Sequence, residues 1–292
     1  MKALSNLLIC ILLLSCVSAS IAQDPHNIYS FSFRNLNNQI TLSNPKFLTG
    51  YNAKGYNNQP HFIDARTIYL SSNVSENDQT DIYALNLFNN KKYQVIKTPE
   101  AEYSPQLHPN GKSFTCVRVE ADGETQRLWS FPQDHSTQGE PLFPEVKNVG
   151  YYHWLDDYKV AMFLVGEPHR LVIGDTRDNH IEEVTSNVGR GMATTPDGKL
   201  LYIQKLSDKT WYIKDLDIET QKSSIVIETL RGAEDFILMQ DGSILMASQA
   251  SIYLYDPKGT KEWTPIADMR KYGLSNITRM AFNQSRVLVL VD

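Results

Sequence analysis

Carboxylates, tyrosines and arginines recur in this chain at the same position of a repeated sequence pattern. That position lies immediately before or within a short apolar run. Three of the carboxylates, Glu102, Glu234 and Asp235, could act as the acid and base of a hydrolase, because glycoside hydrolysis uses two carboxyl groups ~5–9.5 Å apart. Tyrosine offers a flat apolar area with one polar tip, which suits a peptide or a sugar. The candidate residues are Tyr56, Asn58, His61, Glu102, Tyr103, Tyr151, Tyr152, His153, Arg190, Glu234, Asp235, Asn276 and Thr278.

Motifs of the common catalytic and cofactor sites do not occur in the sequence. It has no Gly-x-Ser-x-Gly, His-Glu-x-x-His or Cys-x-x-Cys motif and no phosphate-binding loop. Gly189-Arg-Gly191 lacks the third glycine of a dinucleotide-binding fingerprint. Asp175, Asp178 and Asn179 could bind calcium, but Asp and Asn more often accept backbone hydrogen bonds in hairpin turns. We therefore expect no cofactor and no metal ion.

The elements that must position the candidate residues follow a repeat of roughly 44 residues. Its first half is an apolar run, a tight turn and a second apolar run, as in 105–116, where Asn110-Gly111 forms the turn. Successive turns are 46, 46, 41, 44 and 43 residues apart, which indicates one repeated structural unit. The other turns are Asp64-Ala65, Asp156-Asp157, Asp197-Gly198, Asp241-Gly242 and Gln284-Ser285.

The second half of the repeat is a third strand with alternating apolar residues and a shorter fourth strand. It occurs five times in order, but after the last turn only one more apolar run follows, at 286–291. The missing pair lies at the other end of the sequence, at 27–33 and 38–43. The five complete repeats place their fourth strands at 92–97, 140–146, 181–185, 223–228 and 262–267.

This arrangement predicts an all-β fold, a six-bladed β-propeller whose last blade is closed by the N-terminal strands. A composite blade leaves no open seam, whereas an evenly spaced β-sandwich would not explain why the missing half-repeat lies at the opposite terminus. We expect a single domain over residues 23–292. Its blades are predicted at about 56–98, 101–147, 150–186, 189–229, 232–268, and 275–292 plus 27–44.

In a propeller the first strand of each blade lines the central channel, so the candidate residues are expected on one channel face. Alternatively, individual tyrosines pack between blades and individual carboxylates bind only water. The net charge of −5 and the absence of any Lys/Arg run longer than two residues argue against a nucleic-acid partner.

The first 22 residues are expected to be a signal peptide. Lys2 precedes an apolar core at 7–14 that is too short for a transmembrane segment, and small residues precede a cleavage site after Ala22. The mature chain would then start at Gln23 and be periplasmic or secreted. Alternatively, Leu13-Leu-Ser-Cys16 forms a lipobox, and Cys16 would be the lipid anchor of a lipoprotein.

Two copies of the repeat carry a more specific signature. The first is Glu102-Tyr-Ser-Pro-Gln-Leu-His-Pro-Asn-Gly-Lys-Ser-Phe114 with Arg127-Leu-Trp129, and the second is Thr195-Pro-Asp-Gly-Lys199 with Trp211-Tyr-Ile213. Both resemble the WD40-like repeat of the TolB family. The resemblance implies a six-bladed propeller and a location in the cell envelope. It covers the propeller part of TolB only, so the Tol-specific role is not expected here.

Two functions fit these observations. The favoured one is an exported, non-catalytic propeller that binds a protein or peptide partner of the cell envelope at its channel face. The alternative is a propeller hydrolase that acts on glycans or lactones through Glu102, Glu234 and Asp235. The repeat also resembles the propeller caps of prolyl-oligopeptidase-like peptidases, but no nucleophile elbow accompanies it.

Overall fold

The computed structural model describes residues 24–36, 39–74, 79–134, 136–283 and 286–292. The expected signal peptide, including Cys16, and the predicted turn at Gln284-Ser285 lie outside the described residues. Within the described ranges, no helix is long and apolar enough to cross a membrane.

The described residues form strands throughout, with two short 3₁₀ turns at Gly50–Asn52 and Met269–Tyr272. The strands are β1 (Ile28–Leu36), β2 (Gln39–Phe47), β3 (Asn57–Phe62), β4 (Thr67–Ser72), β5 (Asp81–Asn86), β6 (Lys92–Gln94), β7 (Ala101–Leu107), β8 (Ser113–Val119), β9 (Gln126–Pro132), β10 (Glu140–Pro141), β11 (Val149–Trp154), β12 (Lys159–Leu164), β13 (Arg170–Asp175), β14 (His180–Ser186), β15 (Val188–Thr194), β16 (Leu200–Lys205), β17 (Trp211–Leu216), β18 (Ser223–Glu228), β19 (Phe236–Leu238), β20 (Ile244–Ser248), β21 (Ser251–Tyr255), β22 (Trp263–Asp268), β23 (Arg279–Phe282) and β24 (Val287–Val291).

These strands make six four-stranded antiparallel sheets, the blades of a propeller. Blades one to five are β3–β6, β7–β10, β11–β14, β15–β18 and β19–β22, and each follows the chain order. The sixth blade has the order β23-β24-β1-β2, with β1 paired to β24 from Ile28 opposite Val291 to Ser32 opposite Val287. The predicted all-β six-bladed propeller with a composite last blade is therefore confirmed.

The composite blade is held to both neighbouring blades because side chains alternate along β24. Leu288 and Leu290 pack in a core cluster with Leu245 of blade five, whereas Val289 packs in another cluster with Leu70 of blade one. All five side chains are fully buried. One strand thus contributes to the apolar contacts on both sides of the closure.

A network of polar side chains, which we call the asparagine latch, fastens the closure to blade one. It consists of Asn27, Thr49, Asn52, Asn57, Ser72 and Asn73. At its centre the fully buried Asn57 donates to the carbonyls of His26 (2.9 Å) and Asn52 (2.8 Å) and accepts from Ser72 Oγ (2.7 Å). The backbones of Asn27 and Asp292 exchange two hydrogen bonds, of 2.8 and 2.9 Å. Asn27, just before β1, and Asp292, the last residue, are therefore joined beside the start of β3.

Candidate functional site

The first strands of the six blades surround a central channel that holds a pocket of about 200 Å³. Each blade contributes side chains in or beside its first strand, among them His61, Ser104, Tyr151, Arg190, Asp235 and Arg279. A second pocket, of about 360 Å³, shares Arg190, Asp235 and Arg279 with the first and extends to Arg231 and Asn276. We call these two pockets together the channel mouth.

The first strands of blades one and two carry β-bulges whose residues line the channel pocket. The bulges interrupt the pairing between Asn58 and His61 in β3 and between Tyr103 and Gln106 in β7. Within them, Gln59 (φ 54°) and Ser104 (φ 53°) adopt the left-handed conformation, which costs a non-glycine residue about 1 kcal/mol or more. The Ser104 amide donates to Gln59 Oε1 (2.9 Å), so the two bulges support each other across blades one and two.

Tyrosines of blades one to three lie at or beside the mouth: Tyr151 lines its first pocket, and Tyr56 and Tyr103 lie next to the pockets without lining them. The rings of Tyr56 and Tyr103 meet edge to face at 6.2 Å, and the Arg279 guanidinium carbon lies 4.7 Å from the centre of the Tyr151 ring. The second contact is a cation–π interaction. Burial raises the pKa of the Tyr56 hydroxyl, an effect that the nearby Arg279 and Arg190 charges oppose. The Tyr56 phenol therefore stays neutral at physiological pH.

Arg190 lines both pockets of the mouth. Its Nη2 donates to the Thr278 carbonyl (2.9 Å) and its Nη1 lies 3.8 Å from Glu234 Oε2. Its Nε is buried and has no hydrogen-bond partner among the described residues. Glu234 is also ion-paired to Lys205, so this carboxylate is already neutralised from the blade-four side.

Asp235 connects blade five to the composite blade. Its Oδ2 accepts a hydrogen bond from the Met280 amide (2.9 Å). Burial raises the pKa of this carboxyl, while the positive charges of Arg279 and Arg190 act in the opposite direction. The carboxyl group thus lines both pockets while one of its oxygens is held by the Met280 amide.

Two histidines line the inner part of the channel. Burial lowers the pKa of His61 and of His153 to about 4, and the proximity of His61 adds to the effect on His153. Both rings are therefore neutral at pH ~7, far above these values. His153 Nε2 lies 2.8 Å from Thr194 Oγ1, and the two rings can serve as neutral hydrogen-bonding groups.

No protein-family profile and no curated protein sequence matches this chain. Among solved structures, a TolB-type protein from Agrobacterium tumefaciens has a TM-score of 0.68 and 11% identity, covering 92% of this chain and 98% of its own. The fold is that of a TolB-like propeller. A chain of the nidogen/laminin complex has a TM-score of 0.66 and 9% identity, over 88% of this chain and 97% of its own. A Mycobacterium tuberculosis puromycin-hydrolysing peptidase has a TM-score of 0.58 and 10% identity, over 86% of this chain and 46% of its own.

The structure brings most of the predicted site residues to the channel and its rim, although the side chains of three of them, Asn58, Glu102 and Tyr152, are buried; Tyr152 still borders the first pocket. Glu102 is fully buried, where its Oε1 accepts from Thr98 Oγ1 (2.5 Å) and Arg118 Nε (3.1 Å). The Tyr152 ring is buried in the core cluster of blades two and three. Those at the channel or its rim are Tyr56, His61, Tyr103, Tyr151, His153, Arg190, Glu234, Asp235, Asn276 and Thr278.

The sequence-based expectation that adjacent residues such as Glu102 and Tyr103, or Tyr151 and Tyr152, both face the channel is corrected by the buried side chains of Glu102 and Tyr152. Successive side chains of a strand point to opposite faces, so Glu102 cannot share the direction of Tyr103, nor Tyr152 that of Tyr151. Asn58 is also buried, and its Oδ1 accepts a hydrogen bond from the Gln59 amide (2.8 Å) within the bulge.

Sequence reasoning missed Arg279, Arg231 and Ser104. A usable signal existed for Arg279, because it lies six residues before the second position of its turn, as Tyr151 does. Counting back six residues from each of the six turns gives Gln59, Pro105, Tyr151, Met192, Phe236 and Arg279, and all six line the channel pocket. The number of residues before the turn therefore predicts which residues line the channel better than the start of the apolar run does.

Proposed function

We propose that this protein is an exported, non-catalytic β-propeller that binds a protein or peptide partner at its channel mouth. The observation that carries the proposal is that polar groups inside the mouth are buried without partners. Of the five buried side-chain atoms without a hydrogen-bond partner in the described residues, Ser104 Oγ and Arg190 Nε belong to the mouth, and the others are Glu102 Oε2, Arg118 Nη2 and Tyr152 Oη. Buried polar groups in native proteins are nearly always hydrogen-bonded, so the two groups of the mouth favour a ligand that supplies the missing partners.

The tyrosines at or beside the mouth support a peptide ligand in particular. Tyr56, Tyr103 and Tyr151 present rings with few rotatable bonds, which provide contact area at low cost in conformational entropy. The neutral His61 and His153 add hydrogen-bonding groups deeper in the channel. Such a combination of flat apolar and polar groups suits an extended peptide segment.

The carboxylates argue for binding over hydrolysis. A glycosidase-type mechanism needs two available carboxyl groups on either side of the scissile bond. Glu102 lies outside the channel, Glu234 is ion-paired to Lys205, and Asp235 accepts the Met280 amide. Asp235 is therefore the one carboxyl group of the mouth without an ion-pair partner among the described residues, which favours binding over the alternative of a glycan or lactone hydrolase.

The sequence of the first 22 residues and the fold together support an exported protein with a partner. The same fold occurs in a TolB-type protein and in the nidogen/laminin complex. We propose cleavage after Ala22, with acylation of Cys16 as the alternative. Mass spectrometry of the mature N-terminus distinguishes the two, because a chain that starts at Gln23 no longer contains Cys16.

Selection of short random peptides on the purified chain tests the binding function. We expect peptides whose affinity falls at least ~10-fold when Tyr103 or Tyr151 is replaced by alanine, the loss expected for a buried aromatic contact. Tyr93→Ala and Tyr158→Ala are the matched controls, because both tyrosines are exposed on outer surfaces, and they should not change affinity. If no peptide is selected, or if every selected peptide binds all four variants equally well, the proposal is wrong.

A further inference from the structure

We infer that the segment bound at the channel mouth carries a carboxylate, which the arginines of blades four to six hold. This inference rests on the proposed function and specifies the chemistry of its ligand. It comes from the second of the two pockets, where Arg190, Arg231 and Arg279 converge from three different parts of the chain.

The three arginines have unused hydrogen-bonding capacity. A guanidinium offers five N–H donors. Arg190 donates to the Thr278 carbonyl, and its buried Nε is unpaired among the described residues. Arg279 stacks on the Tyr151 ring but makes no hydrogen bond or ion pair with any described side chain, and the same holds for Arg231. The arginines that line this pocket therefore have donors without an acceptor among the described residues.

The charges of the mouth are not balanced by its own carboxylates. The lining residues include Arg190, Arg231 and Arg279 against Glu234 and Asp235, which leaves an excess of one positive charge. Glu234 is bound by Lys205, and Asp235 lies beyond ion-pair distance of the arginines while its Oδ2 accepts from the backbone. The chain as a whole carries a net charge of −5, so this local excess opposes the overall charge.

The shape of the donors favours a carboxylate. The planar fork of arginine binds a carboxylate through two parallel hydrogen bonds, and stacking on Tyr151 fixes the plane of the Arg279 fork before the ligand arrives. Ser248, Gln249 and Asn276 line the rest of the pocket and offer neutral partners to a peptide backbone. The carboxylate belongs to an Asp or Glu side chain or to the C-terminus of the partner segment.

Resynthesis of the selected peptides tests the inference and identifies the source of the carboxylate. Each peptide is made with its Asp and Glu residues replaced by Asn and Gln, and separately with a C-terminal amide. We expect one of the two changes to lower affinity ~10–100-fold, as the loss of a charge-assisted hydrogen bond would. A loss of affinity on replacing Asp and Glu assigns the carboxylate to a side chain of the peptide. A loss of affinity on C-terminal amidation assigns it to the peptide's C-terminus.

Arginine variants of the protein provide a second test of the carboxylate inference. Arg279→Gln should lower affinity for the acidic peptide by a similar factor and weaken its salt dependence, and Arg279→Lys should restore part of the affinity because it keeps the charge without the fork. Arg231→Gln, at an exposed position that folding does not require, should show a smaller loss in the same direction. Arg34→Gln removes the same charge from an exposed site on the composite blade and should have no effect.

The two levels of the proposal fail in different ways. The carboxylate inference is wrong if the selected peptides depend on Tyr103 and Tyr151 but lose no affinity when their carboxylates are neutralised or when Arg279→Gln and Arg231→Gln replace the wild type. The binding function would then still stand. Peptides that are insensitive to the tyrosines overturn the binding function itself. Melting curves of the variants establish that each one is folded before its affinity is compared.

Discussion

The asparagine latch and the channel mouth are both built from polar side chains near the starts of first strands, yet they differ in how their hydrogen bonds are satisfied. In the latch, the fully buried Asn57 side chain both donates and accepts. In the mouth, Ser104 Oγ and Arg190 Nε are buried without partners among the described residues. A fully bonded network stabilises one structure, whereas unpaired donors favour a ligand. The contrast therefore separates the part that closes the ring from the part available for binding.

Deleting residues 27–44 should have the largest effect, because it removes β1 and most of β2. The edge of β24 would be unpaired, and the buried Ile28, Phe31 and Phe33 would be missing from two core clusters. We expect aggregation or loss of a cooperative melting transition. Thermal melting with size-exclusion chromatography measures it, with Arg34→Gln as a control on the same strand. An unchanged melting curve would contradict the composite blade.

Asn57→Ala should have the next largest effect, since it breaks the latch but leaves every blade intact. Removing a buried side chain that both donates and accepts should lower the free energy of unfolding by about 2–4 kcal/mol. Denaturant unfolding measures the change. Asn35→Ala, at an exposed position of β1, is the matched control. A loss similar to that of the control would show that the latch does not stabilise the closure.

Glu102 adds a third kind of buried polar group, one whose stability contribution depends on pH. Burial raises the pKa of this carboxyl from 4.5 to about 7, with Thr98 and Arg118 opposing the shift. The folded chain therefore holds the proton more tightly than the unfolded chain. The protonated carboxyl group therefore stabilises the folded chain by up to about 3 kcal/mol. This stabilisation is complete below pH ~4.5 and is lost as the pH rises through ~7.

Glu102→Gln should remove this contribution. The difference in unfolding free energy between pH ~5 and pH ~8 should be smaller in the variant than in the wild type. Glu145→Gln, at an exposed position, should keep the wild-type difference. Equal pH dependence in Glu102→Gln and the wild type would refute a raised pKa.

Arg279→Gln should have the smallest effect on stability and so sharpen the contrast with the latch. Because the Arg279 guanidinium donates no hydrogen bond within the described residues, its removal should change the unfolding free energy by less than ~1 kcal/mol. The same denaturant experiment measures it. A loss as large as that of Asn57→Ala would mean that the mouth arginines stabilise the fold rather than bind a ligand.

The fold could be predicted from the sequence because its signals are local. Turn residues recur at near-constant spacing, and the missing half-repeat lies at the opposite terminus. Local detail was less accurate: the fourth strand expected at 140–146 is only Glu140–Pro141. Pro141 and Pro144 lack the amide hydrogen that a longer ladder would need.

The site was harder to predict because the direction of a side chain depends on contacts distant in sequence. The bulge at Ser104 is stabilised by Gln59, 45 residues away, and it decides which residues of β7 face the channel. Arg279 is positioned by the ring of Tyr151 from another blade. Neither contact leaves a mark within a single repeat. Counting back from the turn predicts that Arg279 lies at the channel, but not that its guanidinium packs on Tyr151.

Hydrogen exchange of the purified chain, with and without a selected peptide, tests most directly the claim that the channel mouth is the binding site. We predict that the peptide slows exchange in β11, β15 and β23 and in the connection before β19, while the outer strands β2, β6 and β18 exchange as before. Slowed exchange confined to the outer strands, with none in any first strand, would contradict the account.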